Sequence, residues 1–191
     1  ARARTTTSER PRLNLVSDMD DQPKLKAQKA NPMFADGRAM RPPVAGAVAR
    51  GELRDDTALH AGRDAAGAWV DAIPVSVTAQ LMKRSRERYD VFCAPCHGLA
   101  GYGDGIVARR ADRLQEGTWT PPSSLHTDLV RGRPAGQLYN TVANGVRNMP
   151  AYGAQIPVAD RWAIVAYVRA LQRSQNARIA DVPADMRPQV R

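Results

Sequence analysis

The feature that most constrains the fold is the five-residue run Cys93-Ala94-Pro95-Cys96-His97. The 191-residue chain has only two cysteines, and both lie in this run, three positions apart. On a tight helical turn, two thiols at this spacing can reach the two vinyl groups along one edge of a porphyrin. The imidazole that follows then lies under the iron. The pattern is that of covalent c-type haem attachment, and it predicts one haem c with His97 as the proximal ligand.

Three other uses of these cysteines fit the sequence less well. A zinc site would need two more Cys or His ligands, and the remaining histidines, His60 and His126, lack a paired spacing. A thioredoxin-like redox pair needs a strand before the motif and a βαβ pattern around it, whereas a helical pattern comes first here. A disulfide across two intervening residues would close too small a loop to stabilise the fold much.

The iron of such a haem needs a second axial ligand or an open site, and Met149 is the candidate ligand. It follows His97 in a loop between the last two predicted helices, and Pro150 comes directly after it. A thioether opposite an imidazole raises the reduction potential and suits electron transfer. The alternatives are that Met149 only packs in the core, or that His126 or His60 completes a bis-histidine haem.

Helical periodicity organises the chain after Val77. Four helices are predicted, over Val77–Phe92, Ile106–Leu114, Ala135–Ala143 and Val158–Arg173. The first helix runs straight into Cys93, and Ser76 or Thr78 can cap its start. Its inner face carries Val77, Leu81, Ser85, Tyr89 and Phe92, and the inward residues of the third helix are Leu138 and Val142. The sequence therefore predicts an all-α haem domain over residues 78–173, followed by a polar tail over residues 174–191.

Residues 1–77 differ from the rest of the chain. Proline and glycine recur, no helical apolar stripe lasts three turns, and no alternation marks strands. A segment of this length without elements is uncommon inside a compact domain. Apolar side chains nevertheless recur along it, among them Phe34, Val44, Val48 and Trp69. We therefore expect a long, mostly irregular docking arm that lies over its own domain or over partner subunits, the alternative being a flexible linker.

Charge and hydropathy argue against nucleic-acid binding and against a membrane-spanning helix. The formal net charge is +9, but aromatic residues make up only 5% of the chain. A nucleic-acid-binding surface would combine a dense basic stripe with aromatic side chains that stack on bases, so no nucleic-acid partner is expected. No run approaches the roughly eighteen apolar residues of a membrane-spanning helix.

Four further residues are candidates for the surroundings of the haem. Indole, phenol and guanidinium groups can all bond carboxylates, so Trp119, Tyr102 and Arg147 are expected near the haem edge and propionates. The irregular stretch Trp119–Pro122, which includes Pro121, is expected to supply the carbonyl that accepts the outer N–H of His97. The alternative for Arg147 is a solvated surface charge.

Residues 78–172 resemble a class I cytochrome c domain. The resemblance rests on the helix that ends in Tyr89–Gly98, the glycine-rich loop 101–105, the distal segment Asn144–Tyr152 and the closing helix 160–172. It implies that the first and last helices cross and pack near the haem edge.

A narrower resemblance includes the arm. The stretches Asp21–Lys24, Phe34–Arg38, Arg41–Val44 and Val48–Gly51 are similar to the mono-haem cytochrome c subunit of bacterial alternative complex III, a membrane quinol oxidoreductase. This resemblance implies an electron-transfer subunit, not an enzyme as an isolated chain. Its partners would be other subunits of a membrane respiratory complex, including a multi-haem cytochrome, with a soluble cytochrome or a terminal oxidase as electron acceptor.

The same resemblance implies a location on the periplasmic side of the bacterial inner membrane. The protein would be peripheral to the membrane, held there through partner subunits or an N-terminal lipid. Two rival functions remain. One is a free periplasmic cytochrome c electron carrier, and the other is a haem enzyme or gas sensor with an open distal site.

Overall fold

The computed structural model describes Met19, Gln22 and residues 24–42, 44–51, 53–115 and 119–190. The chain divides after Leu53 into two compact units. Within the described residues the regular elements are helices, and β-pairing is limited to isolated bridges. The α-helices are α1 (Thr57–Ala61), α2 (Ala79–Phe92), α3 (Ala94–His97), α4 (Ile106–Leu114), α5 (Asp128–Arg131), α6 (Ala135–Asn144) and α7 (Val158–Gln175). The predicted all-α class is confirmed.

Helix α2 begins two residues later than its periodicity predicts. Thr78 is the N-cap, and its hydroxyl accepts a hydrogen bond of 3.1 Å from the Leu81 N–H. Val77 was expected on the inner face but precedes the helix and is 54% exposed. The expected inner positions Ser85 and Tyr89 are fully buried. A capping hydroxyl satisfies an N–H that has no partner inside the helix, so it fixes the first residue of the helix.

Helices α2 and α7 pack against each other and form the main helix pair of the second unit. Asp160, in the first turn of α7, accepts hydrogen bonds of 3.0 and 2.8 Å from two nitrogens of Arg84 on α2. The Tyr89 and Tyr167 rings meet between the helices with centroids 5.1 Å apart. The implied packing of the first helix on the last is thus present.

Helix α6 completes the core. Its start and end follow the signals in the sequence, since Pro134 precedes the first residue and Gly145 follows the last. Leu138 and Val142 are buried as expected. The core also takes in Tyr89, Ala94, Val130, Ala135, Tyr139, Ala143, Ile156, Trp162, Ile164, Val165 and Val168.

Residues 54–77, which we term the strap, belong to the second unit, so the structure divides the chain after Leu53 whereas the sequence analysis divided it after residue 77. The Trp162 indole N–H donates to the Leu59 carbonyl at 2.7 Å, and the Tyr139 hydroxyl donates to the His60 carbonyl at 3.2 Å. These acceptors are backbone atoms, which any residue type can provide. The strap therefore packs without a side-chain periodicity that the sequence would reveal.

A close approach of two glycines fixes the strap on α6. The Gly136 N–H donates to the Val70 carbonyl at 2.8 Å, and the Val70 N–H donates to the Gly62 carbonyl at 3.0 Å. A Cβ on Gly136 would lie 1.9 Å from the Gly62 carbonyl oxygen. Only glycine at position 136 permits this contact.

The described part of the first unit is mostly exposed and contains a compact turn over residues 29–41. The turn is closed by hydrogen bonds of 2.8 Å from the Asn31 N–H to the Gly37 carbonyl and 3.0 Å from the Ala39 N–H to the Lys29 carbonyl. Hydrogen bonds from the Arg38 N–H and from Arg41 lower the pKa of Asp36. The irregular character expected of this segment is confirmed, with one local turn added.

The end of the chain is more regular than a polar tail. Helix α7 extends to Gln175, and short 3₁₀ turns follow at Ile179–Asp181 and Arg187–Gln189. Arg173 forms an ion pair with Asp181, which holds the first of these turns to the helix. Among the described residues, none of the helices combines the length and apolar character needed to cross a bilayer.

Candidate haem site

The two cysteines and the histidine of the motif lie on one continuous turn. Cys93 caps the end of α2, and α3 begins at the next residue. The Cys93 carbonyl accepts hydrogen bonds from the N–H groups of Cys96, at 3.1 Å, and His97, at 2.8 Å. Pro95 lies in the first turn of α3, where an N–H would have no helical partner. The sequence thus places two half-buried thiols and an imidazole within one helical turn.

The glycine-rich loop folds back onto this turn. The Gly103 N–H donates to the His97 carbonyl at 2.8 Å, and the Gly105 N–H donates to the Cys96 carbonyl at 3.0 Å. A Cβ on Gly105 would lie 2.2 Å from the Pro95 carbonyl oxygen. The absence of a side chain at residue 105 is therefore what allows the loop to satisfy carbonyls of the motif.

Tyr89 contributes to the candidate site, a role that the sequence analysis did not predict for it. Its hydroxyl donates to the Gly98 carbonyl at 2.8 Å, and its side chain is fully buried. Burial raises the pKa of Tyr89, with a smaller contribution from Cys93. The phenol therefore stays protonated, and it ties α2 to the end of the motif.

The surroundings of His97 favour the neutral form of the ring that a metal ligand requires. Burial lowers its pKa below the usual range, while a backbone interaction with Ser123 acts in the opposite direction. Its Nδ1 atom is buried without a hydrogen-bond partner of normal geometry. Ser123 lies one residue beyond the stretch from Trp119 to Pro122 that was expected to supply the carbonyl.

Cys93 does not resemble a reactive redox cysteine. Burial raises the pKa of Cys93 to about 12, and the neighbouring Cys96 adds to this effect. Catalytic and metal-binding cysteines instead need a thiolate near neutral pH. Over the described ranges, no cluster of three or more His, Cys, Asp or Glu side chains is arranged to hold a bare metal ion. Two thiols on one turn suit addition to the vinyl groups of a porphyrin.

Met149 lies half-buried in the loop between α6 and α7. It forms a two-way backbone pair with Val146, with hydrogen bonds of 3.0 and 2.9 Å. Arg147, at the exposed tip of this turn, has a φ of 50°, which a residue other than glycine adopts rarely. A Cβ on Gly145 would lie 2.5 Å from the Met149 carbonyl oxygen. The methionine is therefore held in a tight turn and not in an open loop.

The same loop returns to the cysteine motif. The Tyr152 ring meets the Phe92 ring edge-on with centroids 6.4 Å apart. The pKa of Tyr152 is raised first by burial and then by the thiols of Cys96 and Cys93. This electrostatic effect shows that Tyr152 lies near both thiols. The structure thereby brings together the cysteine turn and the loop that carries Met149.

The other predicted residues are more dispersed. Tyr102 is about half exposed, and its hydroxyl donates to Gln175 at 2.7 Å while its ring packs on His126. Pro121 is exposed in the segment that follows Trp119. The Trp119 indole N–H is buried without a partner. A buried donor of this kind is costly unless an acceptor is supplied, and a haem propionate is an acceptor of the right chemistry.

Of the two histidines proposed as alternative ligands, His126 has a hydrogen-bond partner on its ring, and the His60 Nδ1 atom is buried without one. A ring nitrogen of His126, Nε2, lies 2.6 Å from the Ala100 carbonyl oxygen. His60 lies on α1 in the strap, where its carbonyl accepts the Tyr139 hydroxyl. The residues present at the motif thus fit a covalent haem, with two thiols on one turn, a buried imidazole and an unpaired indole donor.

Comparison with solved structures finds the reducing HAO-like protein complex Kustc0457/Kustc0458 of Kuenenia stuttgartiensis. The TM-score is 0.43 at 22% sequence identity. The alignment covers 52% of this chain and 48% of the matched chain, so this chain spans about half the length of that structure. Comparison with curated protein sequences gives no match.

A family model described as cytochrome c oxidase, cbb3-type, subunit III matches residues 80–168, a little under half of the chain. The matched region contains the cysteine motif, the Met149 loop and the crossing helices α2 and α7. Domains of this type hold haem c covalently and transfer electrons through it. Residues 80–168 thus have the fold of a class I c-type cytochrome domain.

Proposed function

We propose that this chain transfers electrons through one haem c, attached at Cys93 and Cys96 and ligated by His97 and Met149. The observation that carries the proposal is the approach of the Met149 loop to the cysteine turn, through Tyr152 and Phe92. When bound, the haem supplies a one-electron couple. The protein holds its edge through two thioethers and keeps the His97 imidazole neutral.

The remaining residues have supporting roles in this proposal. The Trp119 indole donates to a haem propionate, which gives its buried N–H a partner. Tyr102, Pro121 and Arg147 would border the cofactor edge. Met149 would supply the second ligand to the iron, and its presence would leave no site for a substrate or a gas. That occupancy favours an electron carrier over a haem enzyme or a sensor.

The first experiment tests covalent attachment. Replacing both Cys93 and Cys96 with alanine should abolish the haem stain that survives a denaturing gel, whereas Met149→Ala should keep it. Met149→Ala should instead remove the weak near-infrared band of methionine ligation from the oxidised protein and lower its reduction potential. Haem that acid–acetone extracts from the unmodified protein would contradict the attachment.

We also propose that the chain works as a subunit of a membrane quinol oxidoreductase of the alternative complex III type, on the periplasmic side of the inner membrane. The resemblance over Asp21–Gly51 supports this assignment, as does the exposure of apolar side chains in the arm. Met33, Val44 and Leu25 are 85%, 78% and 68% exposed. Apolar surface left in water costs about 25 cal/mol per Å², and partner subunits that cover it would remove this cost.

In this proposal the haem domain receives electrons from a neighbouring multi-haem cytochrome and delivers them to a soluble cytochrome or a terminal oxidase. Residues 1–53 are the docking arm, and the strap remains with the haem domain. Trp69 is therefore not one of the side chains proposed to dock on partner subunits. It is half-buried in the second unit, with the Arg63 guanidinium 3.5 Å from its ring centroid.

A deletion separates this assignment from a free periplasmic carrier. Removing residues 1–53 should leave the haem spectrum unchanged but release the protein from membranes and stop its quinol-driven reduction. Removing residues 182–191 instead is the control, and it should leave the protein bound. A truncated chain that stays on membranes with unchanged reduction would show that the arm is not the docking device.

A further inference from the structure

Arg161, on the second turn of α7, contacts three acceptors that belong to two other segments. Its Nε donates to the Ile156 carbonyl at 2.7 Å and its Nη2 donates to the Gly153 carbonyl at 3.0 Å. Its Nη1 donates to the Tyr139 hydroxyl on α6 at 2.8 Å. The planar guanidinium presents its donors in a fixed fork. One side chain therefore joins α7, α6 and the end of the Met149 loop.

The base of that loop has a second set of bonds. The Tyr152 N–H donates to the Val142 carbonyl at 3.1 Å, and the Gly153 N–H donates to the Ala143 carbonyl at 2.9 Å. These are carbonyls of the last turn of α6, which have no partner within the helix. Gly153 is thus held on both sides, by α6 through its N–H and by Arg161 through its carbonyl.

The partner of Arg161 on α6 is itself immobilised. The Tyr139 ring stacks on Trp162 with centroids 4.4 Å apart and an interplanar angle of 18°. Its side chain is buried, and its hydroxyl donates onward to the His60 carbonyl of the strap. The guanidinium therefore connects the loop to a rigid part of the core and not to another mobile side chain.

We propose that Arg161 is the positioning residue of the Met149 loop and sets how strongly Met149 resists displacement by an external ligand. The inference rests on the proposed function, in which Met149 is the distal ligand. An external ligand can bind only when the loop opens. The smaller the population of the open form, the lower is the apparent affinity of that ligand. Bonds at Gly153 and Ile156 are made in the closed loop and lost on opening, so they favour the closed form.

Imidazole is the probe, because it competes for the distal position at constant pH. It is titrated into the oxidised, full-length holoprotein while the near-infrared band of methionine ligation is followed. Arg161→Met keeps most of the length of the side chain but removes its donors. Loss of these charged hydrogen bonds should raise the apparent imidazole affinity about tenfold. Arg161→Lys keeps the charge with fewer donors, so its imidazole affinity should lie between those of the unmodified protein and Arg161→Met. This second variant keeps the proposal testable if Arg161→Met accumulates poorly.

Arg169→Met is the matched control. Arg169 lies on the same helix and also bonds carbonyls of another segment, those of Arg131 and Arg133, but its contacts are away from residues 145–157. It should lower the urea midpoint yet change imidazole affinity by less than about twofold. Amide hydrogen exchange of residues 145–156 should accelerate in Arg161→Met and not in the control.

A double variant separates positioning from general weakening. In a Met149→Ala background no distal methionine remains to be displaced, so adding Arg161→Met should leave imidazole affinity unchanged. Equal affinity gains in the Arg161 and Arg169 variants, or a gain that persists without Met149, would overturn the positioning role. An unmodified protein without the near-infrared band would overturn the Met149 assignment and this inference with it, whereas a normal band with no effect of Arg161→Met refutes only the inference.

Discussion

Replacing Gly136 with alanine should destabilise this protein, although the same exchange inside most helices is stabilising. Alanine is favoured over glycine in a helix interior by about 1 kcal/mol. At this position, however, the new Cβ would lie 1.9 Å from the Gly62 carbonyl oxygen. A backbone oxygen cannot rotate away as a side chain can, so the strap has to move off α6.

The magnitude follows from the bonds that such a movement breaks. The strap is joined here by the bond from the Gly136 N–H to the Val70 carbonyl and by the bond from the Val70 N–H to the Gly62 carbonyl. Each contributes about 1 kcal/mol, and a buried group left unpaired costs about 1–3 kcal/mol. After subtraction of the gain in helix propensity, the net loss is about 2 kcal/mol, a fall in Tm of roughly 6–10 °C for a unit of this size.

Urea unfolding of the holoprotein, followed by far-ultraviolet circular dichroism, measures this change. Gly132→Ala is the control, because Gly132 has an ordinary right-handed conformation and its Cβ would lie 3.2 Å from the Asp128 carbonyl oxygen. It should change stability by less than about 1 kcal/mol. If Gly136→Ala were as stable as the unmodified protein, or more so, the packing of the strap on α6 would be refuted.

Three other substitutions test contacts elsewhere in the second unit. Trp162→Phe leaves the Leu59 carbonyl without its donor and should cost about 2–3 kcal/mol in urea unfolding, and a loss below 1 kcal/mol would argue against that bond. Thr78→Ala removes the cap of α2 and should lower the free energy of unfolding by about 1 kcal/mol. Ser76→Ala is the control and should have no effect, so equal losses in the two variants would reject the cap assignment. Tyr89→Phe should lower stability by about 1–3 kcal/mol while the gel-stable haem remains, and a loss of attached haem would instead give the phenol a role in attachment.

The long helices could be predicted from the sequence because their signals are local. The stripe of α7 and the proline and glycine that bound α6 place these elements to within two residues. The short helices α1 and α5 have too few residues for a periodic pattern. The strap was assigned to the arm because its contacts use backbone carbonyls, such as those of Leu59 and His60. A hydrogen bond to a backbone carbonyl does not require a particular residue type, so the sequence gives no sign of it.

The residues of the candidate site likewise differ in whether the sequence could predict them. The cysteine motif is visible because thioether attachment requires fixed residue types at fixed spacing, and Met149 is visible because it lies in a loop between two clear helices. Arg161 could not be found from the sequence, since its acceptors are the carbonyls of Gly153 and Ile156 and the hydroxyl of Tyr139, 22 positions away. A surface arginine on a polar helix position looks the same whether it is solvated or bonded.

Contacts of the second unit join residues that are either close together or far apart along the chain, and this difference affects the order in which the contacts form during synthesis. The cysteine turn is supported by neighbours, from the bond between Tyr89 and the Gly98 carbonyl to those of the glycine-rich loop. The ion pair between Arg84 and Asp160 instead joins residues 76 positions apart, and the bond from Trp162 to Leu59 spans 103. Contacts between distant residues form late because closing a long loop costs chain entropy. In a chain made from its N-terminus, the cysteine turn can therefore form its local contacts while the domain is still open, before α7 is complete and packs against α2.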